Sequence, residues 1–80
     1  MTETQKAKQQ IRELQEVLEL IETFETEVIG MEMTIRAGKK LGTRPRQETI
    51  NTLKESKHLL NISIDRWNEL TNTKLTKVTE

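Results

Sequence analysis

The side chains suited to nucleophilic or acid–base catalysis are few, and they cluster within residues 55–65 of the 80-residue chain. His58 is the single histidine and cysteine is absent, so no thiolate nucleophile and no disulfide are available. Ser56 and Ser63 stand two residues before and five residues after His58, spacings that do not share one helix face squarely. The nearest aspartate is Asp65, and no acyl-transfer triad is predicted.

One metal-binding pattern is present in the same stretch. Glu55 and His58 form a Glu-x-x-His sequence, which projects two ligands inward in di-iron helical bundles. If Ile50, Leu53, Leu60, Ile64 and Trp67 face the core, however, Glu55 and His58 lie mostly outward. No Gly-rich phosphate-binding loop is found either. We therefore predict no metal site, no cofactor and no enzymatic activity.

Charge is distributed in blocks, although 13 basic and 13 acidic residues leave no net charge. The first block contains seven glutamates and no lysine or arginine: Glu13, Glu16, Glu19, Glu22, Glu25, Glu27 and Glu32. This acidic ridge is typical of a solvated helix face. It would also suit a basic partner, or imitate a nucleic-acid backbone.

The second block, the basic cluster, contains five bases and no acid: Arg36, Lys39, Lys40, Arg44 and Arg46. Bases at this position favour the negative end of a preceding helix and keep a loop soluble. They would also contact phosphates of DNA or RNA, but no base-stacking aromatic and no known nucleic-acid-binding signature accompanies them. A third interpretation pairs the basic cluster of one copy with the acidic ridge of another.

Two long amphipathic helices must position these charges. In the first segment apolar residues recur at the three- and four-residue spacing of one helix face: Ile11, Leu14, Leu18, Ile21, Phe24, Val28, Met31 and Ile35. The second segment carries a similar series: Ile50, Leu53, Leu60, Ile64 and Trp67. We predict an all-α fold, a single antiparallel helical-hairpin domain over 1–80. Its helices lie at about 4–37 and 45–70, joined by a basic loop at 38–44 and followed by a frayed Thr-rich tail at 71–80.

The expected helix ends follow from glycine and proline. Gly38 is expected to follow the first helix, and Pro45 to lie in the first turn of the second. Gly30 costs about 1 kcal/mol relative to Ala inside a helix, but the apolar spacing runs straight through it. We expect a continuous helix with a neighbouring helix close to Gly30, the alternative being a hinge. Leu75 and Val78 continue the second apolar series and would extend that helix on a partner.

A single hairpin leaves part of the apolar surface uncovered. Six residues flank the main series and should stay wet in a monomer: Val17, Leu20, Ile29, Leu59, Ile62 and Leu70. Because a short chain without disulfides builds a small core, we expect dimerisation into a four-helix bundle. The predicted oligomer interface comprises Ile11, Leu14, Leu18, Ile21, Phe24, Val28, Leu53, Leu60, Ile64 and Trp67. Lys57 interrupts the second series and either sets the register or faces solvent.

Composition narrows the functional class. No apolar run approaches the roughly 18 residues of a membrane span, and the start of the chain lacks a signal-peptide segment, so an intracellular, cytoplasmic protein is expected. The small size, absent cysteine and hairpin pattern resemble many small proteins of phages and mobile elements, with no motif that assigns a residue role. We predict a protein–protein interaction module, an adaptor, assembly factor or inhibitor that acts as a homo-oligomer. The alternative is a nucleic-acid-binding regulator that uses the basic cluster.

Overall fold

The fold is a long antiparallel hairpin of two α-helices. The computed structural model describes residues 2–80, so Met1 of the predicted domain lies outside the described residues. Helix α1 spans Glu3–Lys40 and helix α2 spans Gln47–Thr71. The helices pack side by side in a rod with extents of 60 × 17 × 17 Å. The predicted all-α hairpin is confirmed.

Helix α1 is continuous from its capped start. The Thr2 hydroxyl accepts a hydrogen bond from the Gln5 backbone N–H at 3.2 Å, and the Gln5 side chain accepts one from the Thr2 N–H at 3.0 Å. This reciprocal capping box satisfies two donors that the first turn leaves free. Gly30 is exposed, and outside its own stretch of helix no atom lies within 4 Å of where a Cβ would stand. The continuous helix is confirmed, whereas the expected close approach at Gly30 is wrong.

The C-terminus of α1 is closed by a Schellman cap. The N–H of Thr43 donates to the Gly38 carbonyl at 2.9 Å, and the N–H of Gly42 donates to the Lys39 carbonyl at 3.1 Å. Gly42 takes a φ of 78°, in the left-handed region that favours glycine. Gly42 therefore follows the helix, and the prediction that Gly38 does so is wrong. A Cβ at Gly38 would lie 2.8 Å from the Thr43 hydroxyl oxygen, which donates to the Gly38 carbonyl.

Helix α2 begins after Pro45 rather than at it. Arg46 is the N-cap, with an extended backbone and no side-chain capping bond, and Gln47 is the first helical residue. Glu48 lies in the first turn, where a negative charge favours the positive end of the helix dipole. The connector is therefore 41–46 instead of the predicted 38–44, because the cap keeps the preceding residues helical.

A small core fills the seam between the helices. Its buried apolar residues are Val17, Ile21, Val28, Leu60 and Ile64. Leu60 is the most enclosed, with 1% of its surface exposed. Phe24, Leu53, Trp67 and Leu70 pack against this core from partly buried positions. Val17, expected to stay wet, is buried because it stands one turn before Ile21 on the same face.

Residues 72–80, the return segment, double back along α2. Asn72 adopts φ 54° and ψ 36°, a left-handed conformation that ends the helix. The backbone of Leu75 and of Val78 then bonds to side-chain amides of α2, and Val78 packs against the core. The chain leaves the helix close to the predicted position, but the tail is held against α2 instead of being frayed. The extension of α2 on a partner stays a prediction. The reversal at Asn72 turns the chain, and the amides satisfy its backbone groups.

Candidate functional site

The residues with catalytic potential do not form a reaction centre. The Ser56 hydroxyl donates to a carboxylate oxygen of Glu27 at 3.3 Å, and the Ser63 hydroxyl donates to the Leu59 carbonyl at 2.9 Å. His58 is exposed, with its Nδ1 3.0 Å from a carboxylate oxygen of Glu80. Among residues 2–80, no three His, Asp or Glu side chains gather into a group that could hold a metal ion.

The outward placement predicted for Glu55 and His58 is confirmed, since both are exposed. Trp67, which lies on the apolar series of α2, packs against the core. Trp67 therefore packs inside the hairpin, as the apolar spacing indicates, and most of its ring is covered by the same copy.

The basic cluster surrounds the closed end of the rod. All five side chains are exposed, and no ion pair between residues 2 and 80 includes any of them. Arg44 and Arg46 line a shallow groove beside the connector, and Arg36 and Lys39 line another between the helices. Their charge is therefore concentrated at one end and is free to meet an anion.

The acidic ridge winds along α1 and is bonded to α2 near its ends. Glu13 pairs with Arg66 at 2.6 Å, and Glu32 pairs with Lys57 at 3.2 Å. From the sequence we expect Lys57 either to help set the register between helices or to face solvent. It is half-buried and paired with a residue of α1, which fits the first interpretation. The middle of the ridge is exposed, and the described ion pairs do not include it: Glu16, Glu19, Glu22 and Glu25.

Arg66 is the main polar tie between the helices near the open end of the rod. Its hydrogen bond to Glu13, together with the negative charge of Glu13, raises the pKa of Arg66 above its ordinary value, and Glu69 adds a smaller contribution. Because the pair is exposed to water, it stabilises the hairpin little.

Two polar contacts mark one edge of the hairpin. Glu13 meets Arg66 near the open end, and Glu27 meets Ser56 nearer the connector. The two glutamates are 14 residues apart on α1, which is two heptads, so they share a helix face. Their partners on α2, Ser56 and Arg66, are ten residues apart, about 80° around the helix, so Ser56 is buried whereas Arg66 is exposed.

Between these contacts the edge carries an apolar patch, formed by Leu20, Leu59 and Ile62. Leu20 stands seven residues from each of the two glutamates, and Leu59 and Ile62 lie between Ser56 and Arg66 on α2. The exposed fractions are 49%, 36% and 51%. Three large aliphatic side chains from both helices are thus left in water on one edge.

The ten residues predicted as an oligomer interface divide between seam and surface. Four are buried inside one hairpin: Ile21, Val28, Leu60 and Ile64. Four are partly buried: Leu14, Phe24, Leu53 and Trp67. Ile11 and Leu18 are exposed. The buried four contact the other helix of the same copy, so the apolar surface free to meet a second copy comprises Ile11, Leu18 and the exposed members of the flanking set. Of that set, Leu20, Ile29, Leu59 and Ile62 are exposed as predicted.

The other edge of α2 holds the return segment through two asparagines. Asn68 accepts from the N–H of Leu75 at 2.7 Å and donates to its carbonyl at 3.2 Å. Asn61 accepts from the N–H of Val78 at 2.8 Å and donates to its carbonyl at 2.9 Å. Each amide therefore bonds both the N–H and the C=O of one residue, as the opposite residue of an antiparallel strand would. Sequence reasoning missed this site, although two asparagines seven residues apart beside an apolar face were a usable signal.

Neither α1 nor α2, as far as the structure describes them, is long and apolar enough to cross a membrane. No protein-family model, curated protein or solved structure matches this chain. The surfaces of the hairpin therefore carry the functional interpretation.

Proposed function

We propose that this hairpin is a non-enzymatic protein–protein interaction module that self-associates through the apolar patch. The observation that supports this is the patch itself: Leu20, Leu59 and Ile62 are 36–51% exposed, and interhelical polar contacts frame them. An apolar centre with a polar rim is the usual arrangement of a protein interface.

A second copy is the occupant that the dimensions favour. Five buried apolar residues are a small core, and chains of this length often gain stability from a partner. One long side of the rod measures 60 by 17 Å, or about 1,000 Å², which exceeds the roughly 800 Å² per partner of a standard interface. Two hairpins packed along this side form a four-helix bundle.

The test is molar mass by light scattering coupled to size exclusion. The wild-type chain should run at twice its 9.4 kDa mass. Ile62→Asp should give a helical monomer, because a charge in the patch cannot be buried in the interface without a charge partner. Met33→Asp is the matched control: Met33 is 61% exposed on α1 outside the patch, and this variant should remain a dimer. A monomeric wild type, or equal behaviour of the two variants, would refute the proposal.

Salt distinguishes two modes of association. The acidic ridge adjoins the patch, so a dimer closed by the patch should persist or strengthen at high salt. Assembly by the basic cluster of one copy on the acidic ridge of another should weaken instead, and it would grow into chains rather than stop at two copies. Dissociation of the dimer in high salt would overturn the patch as the contact.

Nucleic-acid binding by the basic cluster is the second proposal. It is favoured by five exposed bases that no described ion pair includes. Five phosphate contacts predict that log affinity for duplex DNA falls with log salt at a slope of about −4.5. Replacing Arg44 and Arg46 by Ala should reduce that slope by about 2, whereas replacing Lys6 and Lys8 at the far end of α1 should not. The assay is anisotropy of a labelled random-sequence duplex, and absence of binding at low salt would end this proposal.

A further inference from the structure

The two asparagines that hold the return segment are spaced to match an extended backbone. Asn61 and Asn68 are seven residues apart on α2, a rise of about 10.5 Å at ~1.5 Å per residue. Leu75 and Val78, which they hold, are three residues apart on the extended segment, about 10 Å at ~3.3 Å per residue. Helix and segment therefore stay in register across both contacts.

Side chains add selectivity between and beyond the two amides. The Lys77 ammonium lies 3.0 Å from Asp65, and Glu80 lies 3.0 Å from the His58 ring. Val78 packs against the core of the hairpin. From Lys77 onward the seated segment reads basic, apolar, any, acidic, whereas Leu75 is 42% exposed and is held through its backbone.

We propose that this edge of α2 is a binding site for an extended segment of a partner protein with that pattern. The return segment is its intramolecular occupant, which such a partner displaces. The amides bond to backbone and accept any extended chain, so selection rests mainly on Val78, which packs against the core, and to a smaller extent on the two exposed ion pairs. Asn61 is 7% exposed beneath the segment, and an amide this enclosed needs the two bonds that a peptide backbone supplies.

Most of this site lies away from the apolar patch. Asn61 follows Leu59 by two residues, about 200° around a helix of ~3.6 residues per turn, so these two side chains face different sides of α2. Ile62 borders the site, because it stands one turn after His58 and three residues before Asp65. Contacts through Asn61, Asn68 and Val78 do not require self-association.

The test uses the full chain and a free peptide. The probe is a fluorescein-labelled octapeptide with the sequence of residues 73–80, Thr-Lys-Leu-Thr-Lys-Val-Thr-Glu. Val78→Asp removes the apolar anchor of the internal segment and should free the site. The peptide should bind this variant at least about tenfold more tightly than it binds wild type, where the tethered segment competes at a high effective concentration.

Two controls identify the contacts. In the Val78→Asp background, Asn61→Leu removes two hydrogen bonds and should weaken peptide binding by about tenfold or more. Asn51→Leu is the matched change, because Asn51 is an exposed asparagine of α2 that bonds to the Gln47 side chain, and it should have no effect. A peptide with its central lysine and final glutamate exchanged should bind more weakly than the probe.

If Val78→Asp lowers the helical content, two other experiments still test the inference. Val78→Ala then replaces Val78→Asp, with the same expected direction. In the wild-type chain, hydrogen exchange should be slow at the amides of Leu75 and Val78, which donate to the asparagines, and fast at Thr76 and Lys77 between them.

Three results would overturn the inference. The first is equal peptide affinity for wild type and the freed variant, and the second is equal effects of the changes at Asn51 and Asn61. The third is a wild-type dimer that Val78→Asp converts to a monomer while the peptide fails to bind. That result would assign the site to the return segment of a second copy instead of a partner.

Discussion

Replacing each glycine by alanine in turn tests how the structure uses the three of them. Gly30 lies inside α1, on its exposed surface, with open space where a Cβ would stand. Alanine there keeps every contact and removes backbone freedom from the unfolded chain. Gly30→Ala should therefore raise the free energy of unfolding by about 1 kcal/mol.

Gly38 and Gly42 provide the matched changes, with different expected signs. At Gly38 the new Cβ meets the Thr43 hydroxyl at 2.8 Å, so Thr43 must rotate and lose its bond to the Gly38 carbonyl. That loss of about 1 kcal/mol offsets the gain in helix propensity, and Gly38→Ala should be nearly neutral. At Gly42 the φ of 78° is strained for any L side chain, so Gly42→Ala should lower the free energy of unfolding by about 1–2 kcal/mol.

The assay is urea unfolding followed by circular dichroism at one fixed protein concentration, because association also changes apparent stability. With an m-value of about 1 kcal/mol/M, the midpoint should rise by about 1 M for Gly30→Ala and fall by about 1–2 M for Gly42→Ala. A lower midpoint for Gly30→Ala would refute the reasoning. It would mean that a close contact at Gly30, absent from the single hairpin, forms in solution.

Other substitutions test the core, the caps and the surface, each by the shift in the same midpoint. Leu60→Ala should lower the free energy of unfolding by about 2–5 kcal/mol, because Leu60 is 1% exposed in the seam. Arg46→Asp should raise it by about 1 kcal/mol by giving α2 the missing side-chain cap, whereas Arg46→Ala should not. Asn72→Val should lower it by about 1–2 kcal/mol, because a β-branched residue opposes a φ of 54°. Arg66→Ala should leave the midpoint nearly unchanged, and a clear decrease would contradict the view that this exposed pair contributes little.

The two helices were predictable because apolar spacing reports directly which side of a helix is buried. The apolar spacing continues through Gly30 without a break, and α1 is likewise helical on both sides of Gly30. The helix ends were less predictable, because Gly38 and Gly42 are both glycines near the end of the first apolar series and either could follow the helix. Only the hydrogen bonds from Gly42 and Thr43 decide which glycine follows the helix.

The return segment was not predictable from periodicity. Its threonines indicate poor helix formation, and they do not show where the chain goes instead. The segment is held by hydrogen bonds between its backbone and the side chains of Asn61 and Asn68. Because backbone groups are the same in every residue, such contacts do not require a particular sequence in the segment. The oligomer interface stays a prediction for a related reason. Apolar spacing identifies Leu60 and Ile64 as buried, but it does not say whether the covering helix belongs to the same copy.

A hairpin this long has a gradient of loop length along its axis. The contact between Gly38 and Thr43 at the connector spans 5 residues, that between Glu27 and Ser56 spans 29, and that between Glu13 and Arg66 spans 53. The entropy of closing a loop grows with its length, so helix pairing is easiest at the connector and hardest at the open end. The return segment reverses this order, because its contacts with α2 span only 7 and 17 residues. At the open end of the rod, where pairing with α1 closes the longest loop, α2 can therefore bind the return segment before it pairs with α1.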